Sequence, residues 1–85
     1  MKILYSSCFL RRYKKLPASV KSAAERREAL FRRDDHHPLL HTHKLKGRLS
    51  GLWAFSVDDT YRIIFEFVNE DVVLFQSIGN HSVYD

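Results

Sequence analysis

Apolar and polar residues alternate in the second half of the chain in the way that is typical of β-strands. In residues 53–57, and again in residues 61–67, every second side chain is apolar, which places each apolar set on one face of an extended strand. Asp58-Asp59-Thr60 separates the two runs as a turn, so the pattern predicts a β-hairpin. Arg62 falls on the alternate positions of the second strand and should project from the opposite face.

The first half of the chain has helical spacing instead. The first apolar stripe recurs at i, i+4 and i+7 and consists of Phe9, Tyr13 and Leu16. Ser6 or Ser7 can cap this helix, because a serine hydroxyl accepts a hydrogen bond from a first-turn amide. Pro17 suits the first turn of a second helix, whose helical apolar pattern continues to Arg33. Turn formers and a proline follow in residues 34–38. The pattern therefore predicts a helical hairpin.

Short apolar runs open and close the chain. Residues 3–5 suit a strand, and residues 72–78 form a nearly continuous apolar strand of the kind that lies inside a sheet. A loop with Gly47 and Gly51 leads into the hairpin. We expect an α+β fold of order βααβββ, in which the helical hairpin packs on one face of a curved antiparallel sheet. The first strand should lie at an edge or next to the last strand.

The length and composition limit the kind of protein. The 85 residues have room for one domain, spanning residues 1–85. The one cysteine, Cys8, excludes an internal disulfide framework and favours a reducing compartment. No apolar stretch has the length of a membrane span, so we expect a cytoplasmic protein without a membrane partner.

The formal net charge is +4, with a pI near 9.5. A small basic domain is suited to a polyanionic partner such as RNA, DNA or an acidic protein. The charge alone does not indicate which of these partners binds. Lysines and arginines on helices also keep the outer faces solvated, without any partner.

The five histidines raise the question of a metal site, because four of them fall within residues 36–43. Their spacing matches neither an HExxH nor a Cys2His2 pattern, and the chain has no second cysteine. We therefore expect no metal and no other cofactor, and we interpret His36 and His37 as solvated turn residues.

A different set of residues fits metal-independent RNA cleavage. That reaction needs a base for the 2′-hydroxyl, an acid for the leaving 5′-oxygen and a cation for the phosphate. Histidine serves both proton transfers near neutral pH, arginine holds phosphate oxygens, and tyrosine donates a proton or stacks on a base. His43, Arg62, His81 and Tyr84 supply these groups.

Four segments in this order resemble the RelE/ParE superfamily of type II toxin–antitoxin toxins, and most closely its YafQ/RelE-like branch. They are residues 43–47 (HKLKG), 51–53 (GLW), 61–65 (YRIIF) and 79–84 (GNHSVY). The resemblance covers essentially the whole chain and implies the same βααβββ domain. It also implies a ribosome-dependent endoribonuclease that cuts mRNA in the ribosomal A site by 2′-hydroxyl attack, and that a cognate antitoxin neutralises.

The resemblance also implies roles for individual residues. His43 resembles the loop histidine of the YafQ-like branch, Arg62 the strand arginine of RelE-like and YoeB-like toxins, and His81 the C-terminal catalytic histidine. Tyr84 is the aromatic residue that follows as an acid or a stacking platform. The loop cations that would bind RNA are Lys44, Lys46 and Arg48. The alternatives are a ParE-like inhibitor of DNA gyrase and an inactive homologue that only binds an antitoxin.

Overall fold

The computed structural model describes residues 1–80. Its elements are β1 (Lys2–Tyr5), α1 (Ser7–Lys14), α2 (Ala18–Arg33), β2 (His43–Lys44), β3 (Trp53–Ser56), β4 (Arg62–Phe67) and β5 (Val72–Gly79). Two 3-10 turns, Pro38–Leu40 and Gly47–Leu49, flank β2. The predicted helical hairpin and the predicted β-hairpin are therefore confirmed. The predicted order lacked β2, which has two residues and is too short for an alternating pattern to reveal.

The helix boundaries follow the capping residues. The Ser6 hydroxyl oxygen accepts from the Phe9 amide at 2.9 Å and donates to the Gln76 carbonyl at 2.6 Å. The cap therefore also ties the start of α1 to β5. Pro17 precedes α2 in an extended conformation, and α2 ends at Arg33, as the turn formers after it predict.

The five strands form one mixed sheet in the order β1-β5-β4-β3-β2. The strands from β2 to β5 pair antiparallel, whereas β1 pairs parallel with β5. The expectation of a wholly antiparallel sheet is corrected at this pair. Parallel neighbours need a long crossover connection, and residues 6–71 with both helices supply it. As predicted, β1 lies at an edge of the sheet and beside the last strand.

Both helices pack on one face of the sheet around Phe31. The Phe31 side chain is fully buried, and its ring centroid lies 4.8 Å from that of Phe55 and 4.9 Å from that of Phe65. Trp53 and Tyr61 are half-buried and pack against this core. The opposite face of the sheet therefore carries the alternate residues of each strand.

The helices of residues 1–80 include none that is both long enough and apolar enough to cross a membrane.

Candidate functional site

The strand register places His43 and Arg62 on the same face of the sheet. His43 pairs with Ala54 and Ala54 with Ile64, while Arg62 lies two residues before Ile64 on the same strand. Cross-strand partners, and residues two apart on a strand, share a face. The Cα atoms of His43 and Arg62 are separated by two strand spacings across the sheet, about 10 Å, and by two residues along β4. Both side chains therefore project away from the helical hairpin.

The Arg62 guanidinium is held by the turn that precedes β4. Its Nη1 donates to the Asp58 carbonyl at 2.8 Å and to the Tyr61 carbonyl at 3.0 Å. The turn itself is fixed by the Asp58 carboxylate, whose Oδ1 accepts from the Thr60 and Tyr61 amides at 2.8 and 2.7 Å. Both bonds of Arg62 use Nη1, so they leave the edge formed by Nε and Nη2 for another acceptor. That edge has the geometry that binds two phosphate oxygens.

Arg62 lines a polar cleft at the end of the sheet. The cleft has a volume of about 310 Å³, and its lining consists of Arg27, Leu39, His41, Ser56, Asp58, Asp59 and Arg62. Arg27 on α2 donates from Nη1 to the Leu39 carbonyl at 2.7 Å, which attaches the 3-10 turn to the helix. The cleft therefore brings together cationic, acidic and hydroxyl side chains from three separate segments.

His41 connects this cleft to His43. The His41 carbonyl accepts a hydrogen bond from the Nδ1 of His43 at 2.7 Å. His41 itself has a left-handed backbone, with φ 52° and ψ 41°. Both imidazoles are exposed. His43 and Arg62, two of the four residues that the sequence grouped in one candidate site, thus lie on one face and are linked through His41 and the cleft.

The predicted loop cations lie on strand β2 and on the loop that follows it. Lys44 follows His43 on β2 and points to the helix side, where its Nζ lies 5.4 Å from the centre of the Trp53 ring. Lys46 and Arg48 are exposed on the loop between β2 and β3. Gly47 and Gly51 have φ values of 69° and 95° in this loop, a conformation that favours glycine. The structure therefore places Lys46 and Arg48 on the loop that begins two residues after His43. It places Lys44 on the helix side of the sheet, opposite the face that carries His43.

The remaining histidines of this region serve the local turns. His37 Nδ1 accepts from the Leu39 amide at 3.1 Å. His36 is exposed in its turn and lies 2.8 Å from the Asp35 carboxylate, as expected of a solvated turn residue. His37 is half-buried instead and caps the 3-10 turn. Within residues 1–80, no group of three or more histidine, cysteine or acidic side chains is arranged to hold a metal ion.

Two of the predicted site residues, His81 and Tyr84, lie outside the described residues. Of the seven residues that line the cleft, only Arg62 was among the predicted site residues; the polar lining residues Arg27, His41, Ser56, Asp58 and Asp59 were not. His41 lies two residues before His43, and this spacing was the one feature of the sequence that could have drawn attention to it. Ser56 pairs with Arg62 across the β3–β4 hairpin, so the predicted hairpin could have indicated it. Nothing in the sequence relates Arg27 to Arg62, because their proximity arises from the tertiary fold.

A scan against protein-family models finds no match, and a search of curated protein sequences finds none either. Solved structures do match. YafQ from Escherichia coli strain BL21(DE3) superimposes with a TM-score of 0.80 at 16% identity, over 96% of this chain and 94% of that one. A YoeB/ParE toxin from Agrobacterium tumefaciens gives 0.79 at 15% identity, over 95% and 99%. The toxin–antitoxin complex RelBE2 from Mycobacterium tuberculosis gives 0.67 at 19% identity, over 94% and 96%.

The chain shares the fold of these toxins. The superposition covers nearly the full length of each neighbour, so it includes the helical hairpin and the sheet together. The fold is therefore the one that the resemblance in the four sequence segments implied. In this chain, the face of the sheet opposite the helices carries His43 and Arg62.

Proposed function

We propose that this protein is the toxin of a type II toxin–antitoxin system and acts as a metal-independent mRNA endoribonuclease on the ribosome. The observation that supports the proposal best is the shared face of His43 and Arg62, linked through His41 and the polar cleft. This arrangement supplies a proton-transfer group and a phosphate-binding group on one surface of a fold that known toxins share.

The proposed reaction is an internal phosphoryl transfer. The 2′-oxygen loses its proton to a base and attacks the adjacent phosphorus, while the bond from phosphorus to the 5′-oxygen breaks and an acid protonates that oxygen. The products are a 2′,3′-cyclic phosphate and a 5′-hydroxyl. His43 and His81 are the proposed proton-transfer residues, and Tyr84 is the proposed acid or stacking platform.

Arg62 is the proposed phosphate ligand. Negative charge grows on the non-bridging oxygens as the 2′-oxygen adds, and a fixed guanidinium stabilises that charge without reorganising. The two carbonyl bonds of Nη1 hold the group in place before RNA arrives. The planar edge of Nε and Nη2 then binds two oxygens at once.

The exposed loop is the proposed contact with the rest of the message. Lys46 and Arg48 project from residues 45–52, beside the strand that carries His43, and lysine and arginine neutralise backbone phosphates without regard to base sequence. Lys44 belongs to the same basic segment. Such contacts carry no sequence information, so something else must position the message. We propose that the ribosome is the working partner, because its A site presents the mRNA codon by codon.

The second proposed partner is an antitoxin encoded by the adjacent gene. One of the structural neighbours was solved as a toxin–antitoxin complex. The net charge of +4 favours an acidic or amphipathic segment that covers the basic surface. Such a protein should co-purify with this chain and relieve its toxicity in the cytoplasm, and failure on both counts would contradict the toxin assignment.

The experiment is inducible expression followed by mapping of cut sites in cellular transcripts. The proposal predicts rapid arrest of translation, with cuts phased to the codons of translated messages. His81→Ala should lower cleavage about a hundredfold or more, as expected for lost acid–base catalysis. The matched control is His36→Ala, which removes an exposed histidine of a turn.

Three outcomes would separate the alternatives. Gyrase-linked DNA breaks with intact mRNA would indicate a ParE-like inhibitor. A folded protein that binds its antitoxin but cuts no message would indicate an inactive homologue. Loss of cleavage in EDTA at concentrations that leave ribosomes intact would contradict the metal-independent mechanism.

A further inference from the structure

One backbone conformation stands out beside the proposed site. Among the residues that the structure describes, His41 is the one non-glycine residue with a positive φ. Side chains larger than glycine adopt this region at a cost, and such residues concentrate at functional sites where the surrounding structure holds them. The conformation directs the His41 carbonyl at the imidazole of His43, whose Nδ1 lies 2.7 Å from the oxygen.

The chemistry of this hydrogen bond fixes the tautomer of His43. A carbonyl oxygen only accepts, so Nδ1 must carry the hydrogen, and the lone pair of the neutral ring must lie on Nε2. We propose that His41 is a positioning residue that holds His43 as the Nδ1–H tautomer, so that Nε2 is the atom that takes the proton of the 2′-hydroxyl. The assignment of this proton to the 2′-hydroxyl rests on the proposed function; the tautomer does not.

The carbonyl of His41 is braced on both sides. Before it, the His41 amide donates to the Pro38 carbonyl at 3.3 Å, and Arg27 attaches the same turn to α2 through the Leu39 carbonyl at 2.7 Å. After it, the Thr42 hydroxyl donates to the Asp35 carbonyl at 2.6 Å. The carbonyl therefore has a fixed direction.

His43 is fixed by its own strand. It pairs with Ala54 across β2 and β3, so its Cα position is set by the sheet. With donor and acceptor both anchored by the backbone, the hydrogen bond is built into the fold. It selects one tautomer before any RNA binds.

This role depends on the backbone of residue 41 and predicts a distinctive pattern of substitutions. His41→Val should disturb the carbonyl, because a β-branched residue is a severe outlier in the left-handed region. His41→Gly adopts that region without strain and should restore the arrangement although it lacks the imidazole. If the His41 imidazole were itself the reacting group, glycine would be as damaging as valine.

The direct test is the tautomer itself, measured by ¹⁵N NMR of histidine-labelled protein at a pH that keeps imidazoles neutral. Peaks of His43 are assigned by their loss in His43→Gln, and circular dichroism shows that each variant is folded. We expect protonated Nδ1 and unprotonated Nε2 in the wild type and in His41→Gly, with the Nε2–H tautomer appearing in His41→Val. Protonated Nε2 in the wild type would overturn the proposal.

Cleavage on programmed ribosomes gives the second readout. His41→Val should cut at least tenfold more slowly than wild type, and His41→Gly should recover most of that loss. A folded His41→Val with a changed tautomer and an unchanged rate would overturn the positioning role. If wild-type protein cuts no RNA while the tautomer is as expected, the proposed function fails and the tautomer assignment stands.

Discussion

Replacing Arg62 should impair RNA cleavage far more than it impairs folding. The stability effect arises from the two hydrogen bonds that Nη1 makes to the turn carbonyls at 2.8 and 3.0 Å. A hydrogen bond from a charged donor contributes about 1.5–3 kcal/mol when buried. Arg62 is half-buried, and water can solvate the carbonyls in its absence. We therefore expect Arg62→Ala to lower the free energy of unfolding by about 1–2 kcal/mol in total, which a domain of typical stability tolerates.

The effect on catalysis should be larger. Loss of one fixed group that stabilises developing negative charge lowers rates by about 10²–10³, or about 3–4 kcal/mol. Arg62→Lys keeps the charge but loses the planar edge that binds two oxygens, so it should remain substantially impaired.

The assay is single-turnover cleavage on programmed ribosomes, with urea unfolding of each variant followed by the fluorescence of the single tryptophan, Trp53. The matched control is Arg26→Ala, which removes an exposed α2 arginine that hydrogen-bonds Ser22 at 2.9 Å. Full activity in a folded Arg62→Ala would refute the phosphate-binding role. Equal losses of activity in Arg62→Ala and Arg26→Ala would show that the effect arises from the lower net charge alone.

Three further predictions concern the fold. Phe31→Ala should lower the free energy of unfolding by about 3–5 kcal/mol, because it empties the centre of the aromatic core; a urea titration showing a loss under about 1 kcal/mol would contradict that placement. Ser6→Ala should cost about 1–2 kcal/mol, since it removes the cap of α1 and the bond to β5, and an unchanged urea midpoint would argue against the cap. Partial burial, and secondarily the Glu28 carboxylate, raise the pKa of Tyr5 above its usual value of 10.0. The folded protein therefore holds the phenol proton more tightly than the unfolded chain does. The resulting contribution of Tyr5 to the free energy of unfolding is complete below pH 10.0 and is lost as the pH rises through the raised pKa. Tyr5→Phe should therefore weaken the alkaline loss of unfolding free energy, and an identical pH profile would count against it.

Much of the fold follows from the sequence because burial imposes the periods that the sequence shows. The i, i+4, i+7 stripe that begins at Phe9 and the alternation around Phe55 each match the face that packs on the core. Ser6 and Pro17 mark the two helix starts by their own chemistry. The parallel pairing of β1 with β5 could not be read in this way, because a sequence period shows which face a strand buries and not which neighbour it pairs with.

The candidate site was less accessible to sequence reasoning. The alternation of β4 placed Arg62 on the outer face correctly, but its anchoring depends on backbone carbonyls, which every residue possesses. The same holds for His41, because its effect on His43 comes from a backbone conformation that the residue type does not reveal. Lys44 lies on the Trp53 side of the sheet, which the sequence did not indicate, because β2 is too short for an alternating pattern to reveal.

The most direct test of the proposed chemistry is the nature of the RNA ends that the protein leaves on a ribosome-bound message. Attack by the 2′-oxygen with departure of the 5′-oxygen must produce a 2′,3′-cyclic phosphate on one fragment and a 5′-hydroxyl on the other. We predict both ends at codon-phased sites with the wild-type protein, and their loss in His81→Ala. Fragments with a 5′-phosphate, or no cleavage by folded wild-type protein on programmed ribosomes, would contradict the account.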